Sequence, residues 1–429
     1  MSKLLRKEIA PLVAFNTVKE SRFKTMRISV TAYLPLKMET AAVNALMSLV
    51  MTRSCNKYPD FTELSRKLSY LYGASLSSGF MKIGDAQALT FSISGIDDRY
   101  ALEDDIISKE LSDLLCDVIF DPFVKDGAFD STECEQERRQ LIDMIDAEFN
   151  EKRVYSKNKA LALMCEDEVF SVKRYGDRDS VLKATEKDLY TAWQNMLKTA
   201  RFEIIYVGDS DSSSACEVFA KRFNEIGRKP CEISTEVIRE VEAVKNGNED
   251  MELSQSKMIL GFRTSVAEPD EDTMATRMMC AVLGGTAHSK LFCNVREKLS
   301  LCYYCSSSYI RQKGIMLVES GVERENIDKA REAILGEIKA MQNGDITDEE
   351  IEATKMSMAN AFTSNCDTVG GISGHYLSQM FDKEILSPQE CVERVNAVTK
   401  EDVIRCANKL KLDTVFTLTG VSDETEEEV

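Results

Sequence analysis

Histidine is almost missing from this chain of 429 residues, which carries only His288 and His375, in unlike surroundings. A three-histidine metal site is therefore impossible. An H-x-x-E-H stretch, which sets two imidazoles and a carboxylate on successive turns of one helix for a zinc ion and its water, is absent as well. Positive charge is also short: Lys plus Arg number 54 against 72 Asp plus Glu, a formal charge of −18, and no basic cluster stands out. Nucleic acid and anionic membrane both select for positive charge, so neither is an expected partner. Charges interrupt every apolar run of the opening MSKLLRKEIAPLVAF, which therefore reads as neither a signal peptide nor a membrane span. The thirteen cysteines form no framework. Their odd number, without a secretory signal, leads us to expect reduced thiols and a cytoplasmic protein.

The hydrophobic pattern is that of an α+β chain. Residues 27–36 (RISVTAYLPL) alternate as a strand, and 41–54 read as a buried helix. Asp60 and Glu63 make a capping box for a helix over 61–72 that stops at Gly73. Leu89, Phe91 and Ile93 alternate with Thr90, Ser92 and Ser94 as a strand with one buried face. Helices are predicted over 103–118 and from 132 to beyond 148. In the second half, Met258, Leu260 and Phe262 alternate as Ile28, Val30 and Ala32 do in the first, followed by a helix over 272–283, a strand over 315–322 and helices over 326–341 and 347–362. The glycines Gly370, Gly371 and Gly374 mark a flexible or closely packed helix junction. The acidic tail after Asp423 reads as disordered.

An internal repeat organises these elements. Val181-Leu-Lys-Ala-Thr185-Glu-Lys-Asp188-Leu189 is matched by Val395-Asn-Ala-Val-Thr399-Lys-Glu-Asp402-Val403, at a constant spacing of 214 residues, half the chain. Both are capping-box helix starts, and both lead into strands, over 202–208 and 414–420. Two tandem copies of one α+β unit account for this. Between them, 224–255 is rich in charge, carries NGNED, and reads as a linker.

The stretch from Leu283 to Tyr309, LGGTAHSKLFCNVREKLSLCYYCSSSY, is the most informative. Gly284 and Gly285 end a helical run and feed a loop that needs positive φ or close backbone approach. Ser289 opens a short helix with Leu291, Phe292 and Val295 on its apolar face, closed by Arg296-Glu297-Lys298; a strand then follows from Leu301. His288 lies in the glycine loop, where it reaches either solvent or a ligand, whereas His375 reads as a helix-face residue hydrogen-bonded locally. Cys302 and Cys305 make a C-x-x-C, a pattern of redox sites and zinc ribbons. No second pair stands at ribbon spacing, and a strand is not the helix N-terminus that activates a thiol, so the pattern reads as coincidence.

The glycine loop, the V-R-E-K run and the tyrosine after it resemble the pitrilysin/insulinase/mitochondrial processing peptidase family, whose second domain reads LGGG-S-S-R-L-F, V-R-E-K and then a tyrosine. The resemblance implies that Arg296 and Tyr303 reach a peptide held at a zinc site elsewhere, with Gly284, Gly285 and His288 lining the substrate. A guanidinium fork and a phenol hydroxyl are donors suited to a peptide oxygen. Aligned through Tyr58-Pro59-Asp60 and Leu71-Tyr72-Gly73-Ala74, the family's zinc motif falls on Asn44, Met47 and Ser48. Its distal glutamate, seven residues after the Glu of Glu137-Arg138, falls on Met144, with Asp143, Asp146 and Glu148 nearby. None of the four aligned residues is a usual zinc ligand or a base.

The implied architecture is two tandem homologous domains, 1–223 without its zinc motif and 256–429 with the Arg/Tyr unit. Each is a mixed, largely antiparallel sheet with helices packed on one face. The implied function is that of a non-catalytic subunit in a two-chain zinc metallopeptidase, with zinc in a homologous partner subunit and a peptide as substrate. The alternative is an inactive scaffold or peptide-binding protein of the same fold. The Y-P-D and L-Y-G-A segments resemble the YmfF-like bacterial group, which carries an association with elongation factor P modification.

Overall fold

The structure, a computed structural model, describes residues 3–102 and 105–421, so the acidic tail after Asp423 lies outside the described residues. In chain order come β1 (Leu5–Ala10), β2 (Val13–Lys19), β3 (Thr25–Pro35), α1 (Met38–Val50), α2 (Phe61–Tyr70), β4 (Ser75–Ile83), β5 (Ala86–Ile96) and α3 (Ile107–Phe120). A short hairpin, β6 (Val124–Lys125) and β7 (Ala128–Phe129), leads to α4 (Ser131–Asn150), α5 (Lys152–Met164), α6 (Arg178–Lys183), α7 (Glu186–Thr199), β8 (Arg201–Gly208) and α8 (Ser213–Asn224). Then follow β9 (Lys245–Glu252), β10 (Ser256–Arg263), α9 (Thr273–Cys280), β11 (Cys302–Ile310), β12 (Ile315–Val322), α10 (Ile327–Gln342) and α11 (Asp348–Ser364). The chain closes with α12 (Val369–Leu377), α13 (Pro388–Ala397), α14 (Lys400–Ala407) and β13 (Lys411–Val421).

Two sheets carry the fold, ordered β1-β2-β8-β3-β5-β4 and β11-β12-β10-β13-β9. Pairing is antiparallel except for β2 with β8 and, correspondingly, β9 with β13. The repeat thus has a structural meaning: α7 and α14 each open on a complete capping box, Thr185 with Asp188 and Thr399 with Asp402, and each delivers the chain into the strand of the parallel pair.

The compact units are not the sequential halves. One holds the chain up to Asp146, then Val172–Ser234 and Ser364–Pro388; the other holds Ala147–Ser171, Thr235–Thr363 and the chain from Gln389 onward. The expected boundaries, 1–223 and 256–429, therefore do not follow the packing, and the reason is that each sheet has two apolar faces. In the first unit, Ile28, Val30 and Ala32 of β3 turn toward α1, α3, α7 and α8. The opposite face, with Tyr33, Ala88, Ile205 and Val207, is covered by Ile372 and Tyr376 of α12. In the second unit, Ile259, Leu317, Phe416 and Leu418 are covered by Ala160 and Met164 of α5. Each half of the chain supplies the helix that closes the other half's sheet. Burying such a side chain contributes about 1.5–3 kcal/mol, which makes both covers substantial.

One reading of the sequence changes and another is narrowed. The stretch 224–255 is not all linker, since β9 pairs with β13 along its whole length. Its side chains, KNGNEDME, alternate between half-buried and exposed with almost no apolar face, so the strand is specified by main-chain bonding together with polar contacts such as Tyr155 Oη to Glu249 (2.7 Å) and Thr419 Oγ1 to Asn248 (2.7 Å). The glycine cluster is the closely packed of the two expected kinds of junction, opening α12 after the end of α11. Thr368 caps it at Gly371 N (2.9 Å), and a Cβ on Gly371 would stand 1.7 Å from Asn365 O.

Candidate functional site

The places where the family's zinc motif would stand lie on α1 and α4 of the first unit, and all on α1 are buried. Asn44 Nδ2 donates to Gln87 Oε1 (3.0 Å), and Gln87 Nε2 donates to Ala41 O (2.8 Å) and Arg174 O (2.7 Å), so this amide pair is spent on tying α1 to β5. Ser48 Oγ donates to Ala45 O at 2.7 Å, and Met47 is a fully buried part of the core. Met144 is exposed on α4. Glu137 is buried, its Oε1 3.5 Å from Arg53 Nε. Burial raises its pKa, with Arg53 opposing. A carboxylate already facing a guanidinium, a core methionine and a serine bonded back to its own helix make no zinc donor set. Among the described residues no group of three or more His, Cys, Asp or Glu is placed to hold a metal.

The second unit holds the glycine, arginine and tyrosine segment. α9 widens into a π turn, Ala281–Gly285. Gly284 has φ −154°, not the left-handed value that was one of two expectations. Close approach is the reason for glycine: a Cβ there would lie 2.6 Å from Ser307 N of β11. Gly285, which ends this turn, and His288, on the loop that follows, are exposed. The helix Leu291–Lys298 is also π-wound, with Leu299 N donating to Asn294 O at 3.0 Å, and it buries Leu291 and Val295.

Arg296, on the last turn, is half-exposed; its guanidinium lies 4.6 Å from the Phe292 ring centre and its Nε 3.6 Å from Glu297 Oε1. Tyr303 is the extra residue of a β-bulge, because the β11–β12 register steps from Cys302↔Val322 to Tyr304↔Gly321. It is 54% exposed, and its hydroxyl donates to Glu323 Oε1, which raises its pKa. Gly321 makes room for the neighbouring Tyr304 ring, which would stand 2.4 Å from a Cβ.

The structure therefore brings the Gly284 turn, the Arg296 helix and β11 into one packed cluster. Phe292, Glu323 and Ser320 belong to it too, and the sequence did not single them out as site residues. Phe292 stood in the right helix, one turn before Arg296, whereas Glu323 and Ser320 become neighbours only through the β11–β12 register.

A model described as the Peptidase M16 inactive domain matches residues 183–358. "Probable inactive metalloprotease YmfF" of Bacillus subtilis (strain 168) is 30% identical over 403 residues, which cover 94% of this chain and 95% of the relative. The chain belongs to the peptidase M16 family. An "Uncharacterized zinc protease" of Rickettsia bellii is 26% identical over 171 residues, 38% of this M16 chain and 40% of its own length. Among solved structures, a conserved protein from Enterococcus faecalis V583 superposes with a TM-score of 0.90 at 27% identity over 100% of both chains. A peptidase M16 inactive domain from Pseudomonas fluorescens gives 0.79 at 15% over 98% of both.

As an M16 chain it is an inactive member. The zinc of an active relative finds no ligands at Asn44, Met47, Ser48 and Met144. No helix among the described residues is long and apolar enough to cross a membrane.

Proposed function

We propose that this chain is the zinc-free subunit of a two-chain M16 peptidase, lending Arg296 and Tyr303 to peptide bound at a homologous partner's zinc centre. The carrying observation is the contrast within the chain. The zinc positions on α1 are packed into core and closed hydrogen bonds, whereas Arg296 and Tyr303 stand partly exposed on a glycine-dependent cluster, their donors facing only the side chains of Glu297 and Glu323 among the described residues. Arg296 offers a charged fork to a peptide carbonyl. Tyr303 offers a hydroxyl to the oxyanion formed on attack, a contact worth about 2.7–4 kcal/mol at the transition state. Gly284, Gly285 and His288 form the loop that borders the peptide.

The test is turnover by the intact pair of this chain with a zinc-bearing M16 homologue from the same cell. Arg296→Ala or Tyr303→Phe lowers kcat by roughly 100-fold or more, with a smaller effect on KM, while Glu297→Ala, at the same helix end but without a donor, leaves it unchanged. Full activity of both donor variants in an assembled pair rejects the proposal. A second reading, an inactive peptide-binding scaffold, draws on Glu323 and Phe292, which already engage the two donors locally.

A further inference from the structure

Cys302 and Cys305 stand three residues apart on β11, a spacing that in a regular strand turns side chains to opposite faces. The bulge at Tyr303 changes this. Cys302 pairs with Val322 and Cys305 with Ser320, positions two apart on β12, so the two thiols issue from one face. The bulge also shortens the span. Three residues of β11 cover the length of two on β12, about 6.8 Å of rise instead of roughly 10 Å. That is the upper end of the Cα separation that a disulfide closes, about 4.4–6.8 Å.

Both cysteines are free and buried, 9% and 4% exposed. Ser320, fully buried, has an Oγ with no hydrogen-bond partner at ordinary distance among the described residues, yet it lies near enough to both sulfurs to favour their thiolates. The Cys302 thiol is drawn down by hydrogen bonding from Cys305, against burial, with help from Ser320 and the charge of Arg296. The same pairing, with burial, pushes Cys305 up. Cys302, the more exposed of the two and the one that feels the Arg296 charge, is the side suited to attack, and the more deeply buried Cys305 the side suited to resolve. The sequence reading as coincidence relied on the lack of a helix N-terminus, and here a second thiol, a serine and a guanidinium take that role.

We propose that Cys302 and Cys305 form a peroxide-oxidised dithiol whose disulfide draws in the bulge and displaces Tyr303. The Cys302 thiolate attacks one oxygen of hydrogen peroxide and breaks the O–O bond. The departing hydroxide takes a proton to become water, leaving a sulfenic acid. The Cys305 thiol then gives up its proton and attacks the Cys302 sulfur, forming S–S and expelling the hydroxyl as a second water. Two thiols and one peroxide become one disulfide and two waters, with sulfur oxidised and peroxide reduced. Tyr303 lies inside the closed ring, so contraction at the bulge pulls it from Glu323. Any effect on turnover rests on the role proposed for Tyr303 above; the thiol chemistry does not.

The experiment treats the full-length reduced chain with hydrogen peroxide, blocks the remaining thiols and maps the peptides by mass spectrometry. The expected product is a Cys302–Cys305 link, reversed by dithiothreitol, with exposed Cys231 and Cys293 left out of any intramolecular link. Cys305→Ser should stall at a Cys302 sulfenic acid that dimedone traps. Nitration of Tyr303 by tetranitromethane should differ between the reduced and oxidised chains. If Cys302 and Cys305 stay alkylatable while Cys231 and Cys293 are oxidised, the proposal is overturned. The same holds if the link forms and Tyr303 nitration is unchanged. A link that forms and moves Tyr303, yet leaves turnover by the zinc-bearing pair untouched, upholds the dithiol and rejects the catalytic reading of Tyr303.

Discussion

At Asp272 two cations converge, Arg405 Nη2 at 2.7 Å and Lys409 Nζ at 2.6 Å. The hydrogen bond from Arg405, then that from Lys409, holds the carboxyl down at about 2, against partial burial. The unfolded chain titrates this group near 3.9. The folded pKa is the lower of the two, so the stabilisation is full above about pH 4 and is lost as pH falls through about 2. Asp272→Asn is therefore expected to flatten that part of the acid limb. Urea midpoints measured from pH 5 down to pH 2 should fall less steeply in the variant than in the parent. A parallel fall in both would show that Asp272 does not carry this dependence. Residue-scale features of this kind were partly legible. The sequence offered close approach as one reason for Gly284, because a glycine turn is a local signal. It did not reveal that Glu323 takes the Tyr303 hydroxyl, since that contact depends on pairing between strands.

Elements with a regular apolar face were readable and elements without one were not. The strand over 315–322 is observed as β12 with those same ends, all eight residues buried. β9 was missed because KNGNEDME has almost no apolar face, whereas α12 showed only as a helix face at His375 and a glycine junction, where Gly371 lets the backbone pass Asn365. The bulge in β11 has no signature at all in CYYCSSSY. The two capping boxes were the most legible local feature, and they provide a matched test of the repeat. Thr185 Oγ1 and Thr399 Oγ1 each accept from the backbone N–H three residues on at 3.2 Å, and Asp188 and Asp402 each accept from the cap N–H at 2.9 and 3.0 Å. Thr185→Ala and Thr399→Ala should each cost about 0.5–2 kcal/mol, read as lowered urea midpoints with unchanged slopes. A loss at one site and none at the other would mean that the two starts are not equivalent.

Over the whole molecule, the spacing of 214 residues announced two copies of one unit, but nothing in it could announce that the copies trade helices. Periodicity reports which face of an element is buried and is silent about which stretch covers it. The exchange makes a prediction that two independent tandem domains would not share. A fragment ending at residue 244 keeps β1–β5 and β8 but lacks Ser364–Pro388, so Tyr33, Ala88, Ile205 and Val207 lose the cover given by Ile372 and Tyr376. The complementary fragment from 245 onward lacks Ala147–Ser171, and Ile259, Leu317, Phe416 and Leu418 lose Ala160 and Met164. At about 1.5–3 kcal/mol for each large apolar side chain returned to water, either loss is comparable to the whole stability of a domain, about 5–15 kcal/mol. Expressed alone, each fragment should therefore bind the apolar dye ANS and self-associate. Co-expressed, the two should be recovered as a soluble 1:1 complex with one cooperative melting transition, as measured by light scattering and calorimetry. Two fragments that are separately monomeric, dye-silent and cooperatively folded would show that neither needs the helix lent by the other.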